Sequence, residues 1–137
     1  MFWKAVSSTA LLIACSACAA PLPEHDSSMA WIDVHSGAGH RLSAQRMDGA
    51  KVNDARFFQI APGAHQLDMR LTYDRGGNRA GGNERRCLVN VDYSGFTAGQ
   101  RYSVRALAKE WTVRVWLYSS DGQRLVESKS VRCGSQY

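Results

Sequence analysis

The chain has 137 residues, a formal net charge of +5, 45% hydrophobic and 21% charged side chains. This is an ordinary globular balance, which excludes a disordered or low-complexity chain. The positive charge is spread over many arginines with no interleaved aromatic patch, so no nucleic-acid partner is expected.

Residues 1–14 read as a signal rather than as part of the fold. Lys4 supplies a positive start, and an apolar run with Val6, Leu11, Leu12 and Ile13 follows. The run is too short to span a bilayer, which takes roughly 20 helical residues, and matches a secretory h-region. Leu12-Ile13-Ala14-Cys15 then gives the order branched apolar, apolar, small, cysteine. That order resembles the lipobox of bacterial lipoprotein signals. The resemblance implies a diacylglycerol on the Cys15 thiol, cleavage before Cys15, and acylation of the new amine. Two or more acyl chains give stable membrane attachment, where one gives only marginal binding. The next residue is Ser16, where an aspartate would favour the inner membrane, so the resemblance implies a lipid-anchored protein of the outer membrane facing the periplasm. Ala17-Cys18-Ala19 also fits an ordinary A-x-A cleavage site, whose use would release a secreted chain.

With residues 1–14 removed, about 120 residues remain, enough for one domain with one core. Lys4 leaves with the signal, and the charge falls to about +4. Residues 15–28, with Pro21, Pro23, Ser27 and Ser28, read as the lipidated cysteine and a flexible tether. The domain is expected over 29–137.

The first strand is expected over 29–35. Ser36-Gly37-Ala38-Gly39 turns the chain, and a weaker strand over 40–47 follows with Leu42 and Ala44 inward. Asp48-Gly49 is a hairpin signal, because a tight primed turn needs positive φ at both central positions. A short strand with Phe57, Phe58 and Ile60 leads into Pro62-Gly63, a second turn signal. Beyond it comes strict alternation: His65, Leu67, Met69, Leu71 and Tyr73 on one face, Gln66, Asp68, Arg70 and Thr72 on the other. Period two over this length means a half-buried strand whose register is well specified.

Residues 75–86 hold four glycines and four arginines, Arg75, Arg79, Arg85 and Arg86, with no large apolar side chain. They read as an exposed hairpin tip. Cys87, Val89, Val91 and Tyr93 alternate inward on the returning strand. Strands over 101–108 and 111–118 follow, the second with Trp111, Val113, Val115 and Leu117 on one face and Thr112, Arg114, Trp116 and Tyr118 on the other. Asp121-Gly122 is a further hairpin signal, and 123–131 returns toward Cys133. About seven short strands with frequent turns and no helix predict an all-β domain, a single antiparallel β-sandwich or an open barrel.

Export places Cys87 and Cys133, the two cysteines of the domain, in an oxidising compartment, where they are expected to form a disulfide. Pro62-Gly63-x-His65-x-Leu67 is similar to the strand that begins PEGA-type and related transthyretin-like β-sandwich modules of bacterial envelope proteins. Phe96-x-Ala98-Gly99-x-x-Tyr102 is similar to a segment found beside it in small envelope lipoproteins. Together with the lipobox these patches cover about a third of the chain. The resemblance implies a small β-sandwich lipoprotein and brings no catalytic residues.

No nucleophile, zinc-ligand or phosphate-loop motif is present, and the carboxylates are not paired for acid–base work. No enzyme, cofactor or metal site is therefore expected. Asp33, His35 and His40 match no ligand spacing, and His65 is expected to hydrogen-bond backbone near its turn. Two surfaces are candidates for binding. Arg75, Arg79, Arg85 and Arg86 suit bidentate contacts to an anionic glycan, lipid or acidic envelope protein. Arg114, Trp116 and Tyr118 combine exposed aromatics with arginine. The reading is a membrane-anchored, non-catalytic interaction or structural module in the periplasm; a periplasmic ligand-binding protein, for a small molecule, glycan or ion, is the alternative.

Overall fold

The alternating segment after Pro62-Gly63 forms a twelve-residue strand, Gly63–Asp74, at the centre of a sheet. The computed structural model describes residues 20–76 and 84–134. The signal 1–14, Cys15, Cys18 and Arg79 lie outside the described residues.

Ten strands are present: β1 Ala30–Val34, β2 His40–Met47, β3 Ala50–Lys51, β4 Phe57–Ile60, β5 Gly63–Asp74, β6 Glu84–Phe96, β7 Arg101–Lys109, β8 Thr112–Tyr118, β9 Arg124–Glu127 and β10 Ser130–Cys133. They form two five-stranded sheets, β4-β1-β7-β8-β9 and β10-β6-β5-β2-β3. All pairs are antiparallel except β1 with β7. The two sheets share one core and do not close into a barrel, so the open-barrel alternative falls away. Among the described residues no helix is long and apolar enough to cross a membrane.

The expected count of about seven strands is corrected to ten. The difference lies in short strands that carry no alternation of their own. β3 is two residues paired with the end of β2 across Asp48-Gly49. Asp48 and Gly49 take φ of 50° and 83°, the primed turn that the sequence predicts. The C-terminal return splits in two. Ser128 donates to Val115 O at 2.8 Å and Lys129 to Asn90 O at 2.8 Å, so the chain steps from one sheet to the other between β9 and β10.

The inward face of β5 behaves as its period demands. Leu67, Met69, Leu71 and Tyr73 are buried, and they pack with Leu42, Ala44, Val89, Val91, Val104, Val115 and Leu117 from both sheets. Cys87 lies opposite Cys133 in the β6–β10 register and forms the expected disulfide, with Cα atoms 4.0 Å apart. Phe96 and Tyr102 are also core residues. Their rings meet edge to face at 5.1 Å, and the Tyr102 hydroxyl accepts from Thr97 N–H at 3.0 Å, which closes the turn through Gly99. Such aromatic pairs add about 1 kcal/mol beyond area burial.

Asp33 is an outward carboxylate of β1 whose partners tie β1 to β7. Arg101 donates to it with Nε at 2.8 Å and Nη2 at 3.0 Å, and Trp31 Nε1 donates at 2.8 Å. Burial alone would push the Asp33 carboxyl up, but these donors outweigh it and hold the group below its ordinary 3.8. The folded state thus binds this proton less tightly than the unfolded chain does. Its stabilisation is complete above the unfolded-state value and is lost as pH falls through the folded-state value. Asp33→Asn is expected to lower the urea midpoint at about pH 7 and to have a smaller effect at about pH 2. An equal loss at both pH values would overturn this assignment.

Candidate functional site

Hairpin β5–β6 and hairpin β7–β8 bring their ends together at one pole of the sandwich. The buried Tyr73 side chain, last inward residue of β5, donates its hydroxyl proton to Glu110 O at 2.8 Å. Arg85, opposite Tyr73 in the register, donates from Nη1 to the same hydroxyl at 2.9 Å and to Trp111 O at 3.2 Å. Tyr73 therefore uses both hydrogen-bonding capacities of its hydroxyl to tie the two hairpins.

This junction presents Trp111. The sequence placed Trp111 on the inward face of a strand over 111–118, but β8 begins at Thr112 and the preceding Glu110 takes φ of 54°. Trp111 leaves the sheet with the turn and is 69% exposed. The guanidinium carbons of Arg75 and Arg85 stand 4.4 and 5.0 Å from the centre of its indole. Cation–π contacts of this kind are worth about 0.5–2 kcal/mol. Arg75, Arg85, Arg86, Trp111, Glu84 and Gly134 line an open cavity of about 580 Å³. Arg86 meets Glu84 at 3.4 Å with both side chains exposed, a weak pair. Arg75 Nε is buried and has no hydrogen-bond partner among the described residues. Of the four arginines of the predicted loop, three are thus gathered beside a tryptophan, and Arg79 lies outside the described residues.

The second predicted surface is the outer face of the β4-β1-β7-β8-β9 sheet. Arg114, Trp116 and Tyr118 point outward from β8, as the alternation requires. The pairing adds neighbours that the sequence did not single out. Arg105 lies opposite Trp116, Ser103 opposite Tyr118, and Leu107, 55% exposed, opposite Arg114. Arg114 and Arg124 stand 5.0 and 4.2 Å from the centre of the Trp116 ring, and Arg105 and Arg124 stand 5.5 and 6.0 Å from that of Tyr118. With these guanidiniums against its ring, Trp116 is only 9% exposed. What faces outward is a layer of guanidinium groups over aromatic rings. Glu127 accepts from Arg114 at 3.0 and 3.2 Å and is held below its ordinary value by that bond. Arg105 and Arg124 form no ion pair among the described residues. The signal that could have found Arg105 is its place in the outward series Arg101, Ser103, Arg105 of β7.

The histidines are used structurally where the structure assigns them partners. His65 Nε2 faces Ala61 O at 2.6 Å, the backbone bond that the sequence predicts, and Nδ1 faces Asp48 Oδ2 at 2.5 Å. Asp48 also accepts from Gln66 N–H at 2.8 Å, and the backbone bond followed by the His65 contact holds its carboxyl below the ordinary value. His25 meets Met29 O at 2.7 Å. Among the described residues no three His, Cys, Asp or Glu side chains converge as metal ligands would. The chain matches no protein-family model, no curated protein and no solved structure with which it was compared.

Proposed function

We propose that this is a lipid-anchored protein of the bacterial cell envelope, held at the periplasmic side of the outer membrane through Cys15 and acting as a non-catalytic interaction module. The lipobox order at residues 12–15 supports the anchor. The observation that carries the interaction role is the outer face of the β4-β1-β7-β8-β9 sheet. A solvated strand face needs only small polar side chains, yet this one stacks Arg105, Arg114 and Arg124 on Trp116 and Tyr118. Holding guanidiniums against rings reduces the entropy lost when they meet a carboxylate surface, and arginine over aromatic is a composition enriched at interface hot spots. The fitting partner is an acidic face of another envelope protein.

Two measurements test this. Intact mass of the mature protein from the membrane fraction is expected to show a chain starting at an acylated Cys15; an unmodified soluble chain would remove the anchor. A photo-crosslinking side chain at Leu107 is expected to yield a discrete protein adduct in the envelope, abolished by Arg105→Glu with Arg124→Glu. The same probe at Arg70, exposed on the other sheet, is expected to yield none. An adduct insensitive to the arginine substitutions would overturn the role assigned to this face.

A further inference from the structure

Residues 20–28 pass beside β4 and Trp31. Arg56 Nη1 donates to Ala20 O at 2.7 Å, and Asp26 N–H donates to Gln59 Oε1 at 3.0 Å. Followed toward the N-terminus, the chain therefore travels from Gln59 toward Arg56. β4 is antiparallel to β1 and β1 is parallel to β7, so this is the direction in which β7 runs toward Lys109 and Trp111. From Asp26 back to Ala20 the path heads toward the pole where Arg75, Arg85 and Trp111 meet. Cys15 precedes Ala20 by five residues, a reach of at most about 18 Å.

Within residues 39–42, 72–76, 84–87, 108–112 and 132–134 there are six Arg or Lys against three carboxylates. At the opposite pole the turns and adjoining strand ends 46–51, 61–64, 97–101 and 119–124 hold Arg46, Lys51, Arg101 and Arg124 against Asp48 and Asp121. The first pole, with Arg75, Arg85 and Arg86 around its cavity, carries the charge that an anionic surface attracts. Trp111 adds an exposed indole at the basic pole, the side chain favoured at the level of lipid headgroups. Arg75, Arg85 and Arg86 line the cavity there, and guanidinium groups suit the oxygens of a phosphate.

We propose that this pole docks on the anionic surface of the membrane that holds the Cys15 lipid, with Arg75, Arg85 and Arg86 contacting lipid phosphates and Trp111 set among the headgroups. Docking in this sense rests on the anchored reading for its orientation. It leaves the outer face of the β4-β1-β7-β8-β9 sheet standing free, roughly perpendicular to the membrane, for a protein partner.

The test uses the mature full chain in vesicles of phosphatidylcholine alone or mixed with phosphatidylglycerol, carrying a quencher on a fraction of the headgroups. Tryptophan quenching is expected only when phosphatidylglycerol is present, to fall with added salt, and to be lost in Trp111→Phe. In parallel, the unlipidated Cys15→Ala full chain is sedimented with the same vesicles. Phosphatidylglycerol is expected to drive its binding, and Arg75→Gln with Arg86→Gln to weaken that binding about thirtyfold, as basic side chains near such a surface predict. Circular dichroism spectra matching the parent chain show that the variants are folded. If the mature chain carries no lipid but the Cys15→Ala chain still binds in this way, the anchor fails and the docking surface stands. If Cys15 is acylated but quenching ignores phosphatidylglycerol, or sedimentation ignores the arginine substitutions, the docking proposal is overturned alone. Retained adduct formation at Leu107 in that last case would assign the pole to no membrane role while keeping the protein interface.

Discussion

Replacing Cys87 by alanine and Cys133 by serine together is expected to lower the unfolding free energy by up to about 4 kcal/mol, as the loop-closure account predicts for a bridge over this separation. The two cysteines are 46 residues apart in sequence, and the bridge fixes the last strand of the domain. β10 needs it. It has four residues, lies at a sheet edge, and among the described residues pairs only with β6. Replacing both cysteines avoids leaving a lone thiol at the fully buried Cys87 position. Urea unfolding of the variant, and of the parent with and without reductant, reads the loss. Hydrogen exchange at residues 130–134 is expected to rise ahead of the rest of the fold. An unchanged midpoint would show that packing alone holds β10. The same variant tests the basic pole, because Gly134 N–H donates to Arg86 O at 3.1 Å and Cys133 lines the cavity there. Fraying β10 therefore removes a support of Arg86.

Much of the fold is legible wherever one face of a strand is buried and the other is wet. β5, the inward half of β6 and the Asp48-Gly49 turn follow directly from period and turn chemistry. The sequence fails where periodicity outruns the sheet. Trp111 continues the apolar series Val113, Val115, Leu117 by one step, but the turn at Glu110 has already taken the chain out of pairing. The burial of Trp31 has no signal in the sequence. Trp31 is on the outer side of β1, yet only 1% exposed, because Phe57 stacks on it at 4.1 Å and Arg101 stands 5.2 Å from its ring. Coverage by neighbouring strands leaves no local pattern. β9 and β10 read as one return because the step between sheets at Ser128 and Lys129 is decided by partners distant in sequence.

The candidate sites divide in the same way. The arginines of the 75–86 hairpin are visible as composition, but Trp111 reaches them from another hairpin, 26 residues beyond Arg85. On the outer sheet face, Arg114, Trp116 and Tyr118 share one strand and are legible together. Arg105 and Arg124 join them only through the β7–β8 and β8–β9 registers. Sites made of one strand's alternate residues can be read from the chain. Sites made by pairing need the register first.

The register itself has a sharp mutational signature on β5. Leu71→Ala is expected to destabilise the domain by about 2–5 kcal/mol, the range for buried leucine truncations. Arg70→Ala, one residue away, is expected to change stability by no more than about 0.5 kcal/mol. Leu71 is fully buried and sits between Leu42 on β2 and Cys87 on β6, so the lost methyl groups leave a void between two paired strands. Arg70 points outward between Ser43 and Leu88. Chemical denaturation of the two variants separates them. Comparable losses would mean that β5 is covered on both faces, with a partner or the chain itself over the outer side of its sheet. A large loss at Leu71 alone fixes Tyr73, two residues on, to the same inward face. From there its hydroxyl reaches Glu110 and Arg85, and the period of β5 determines where the arginines meet Trp111.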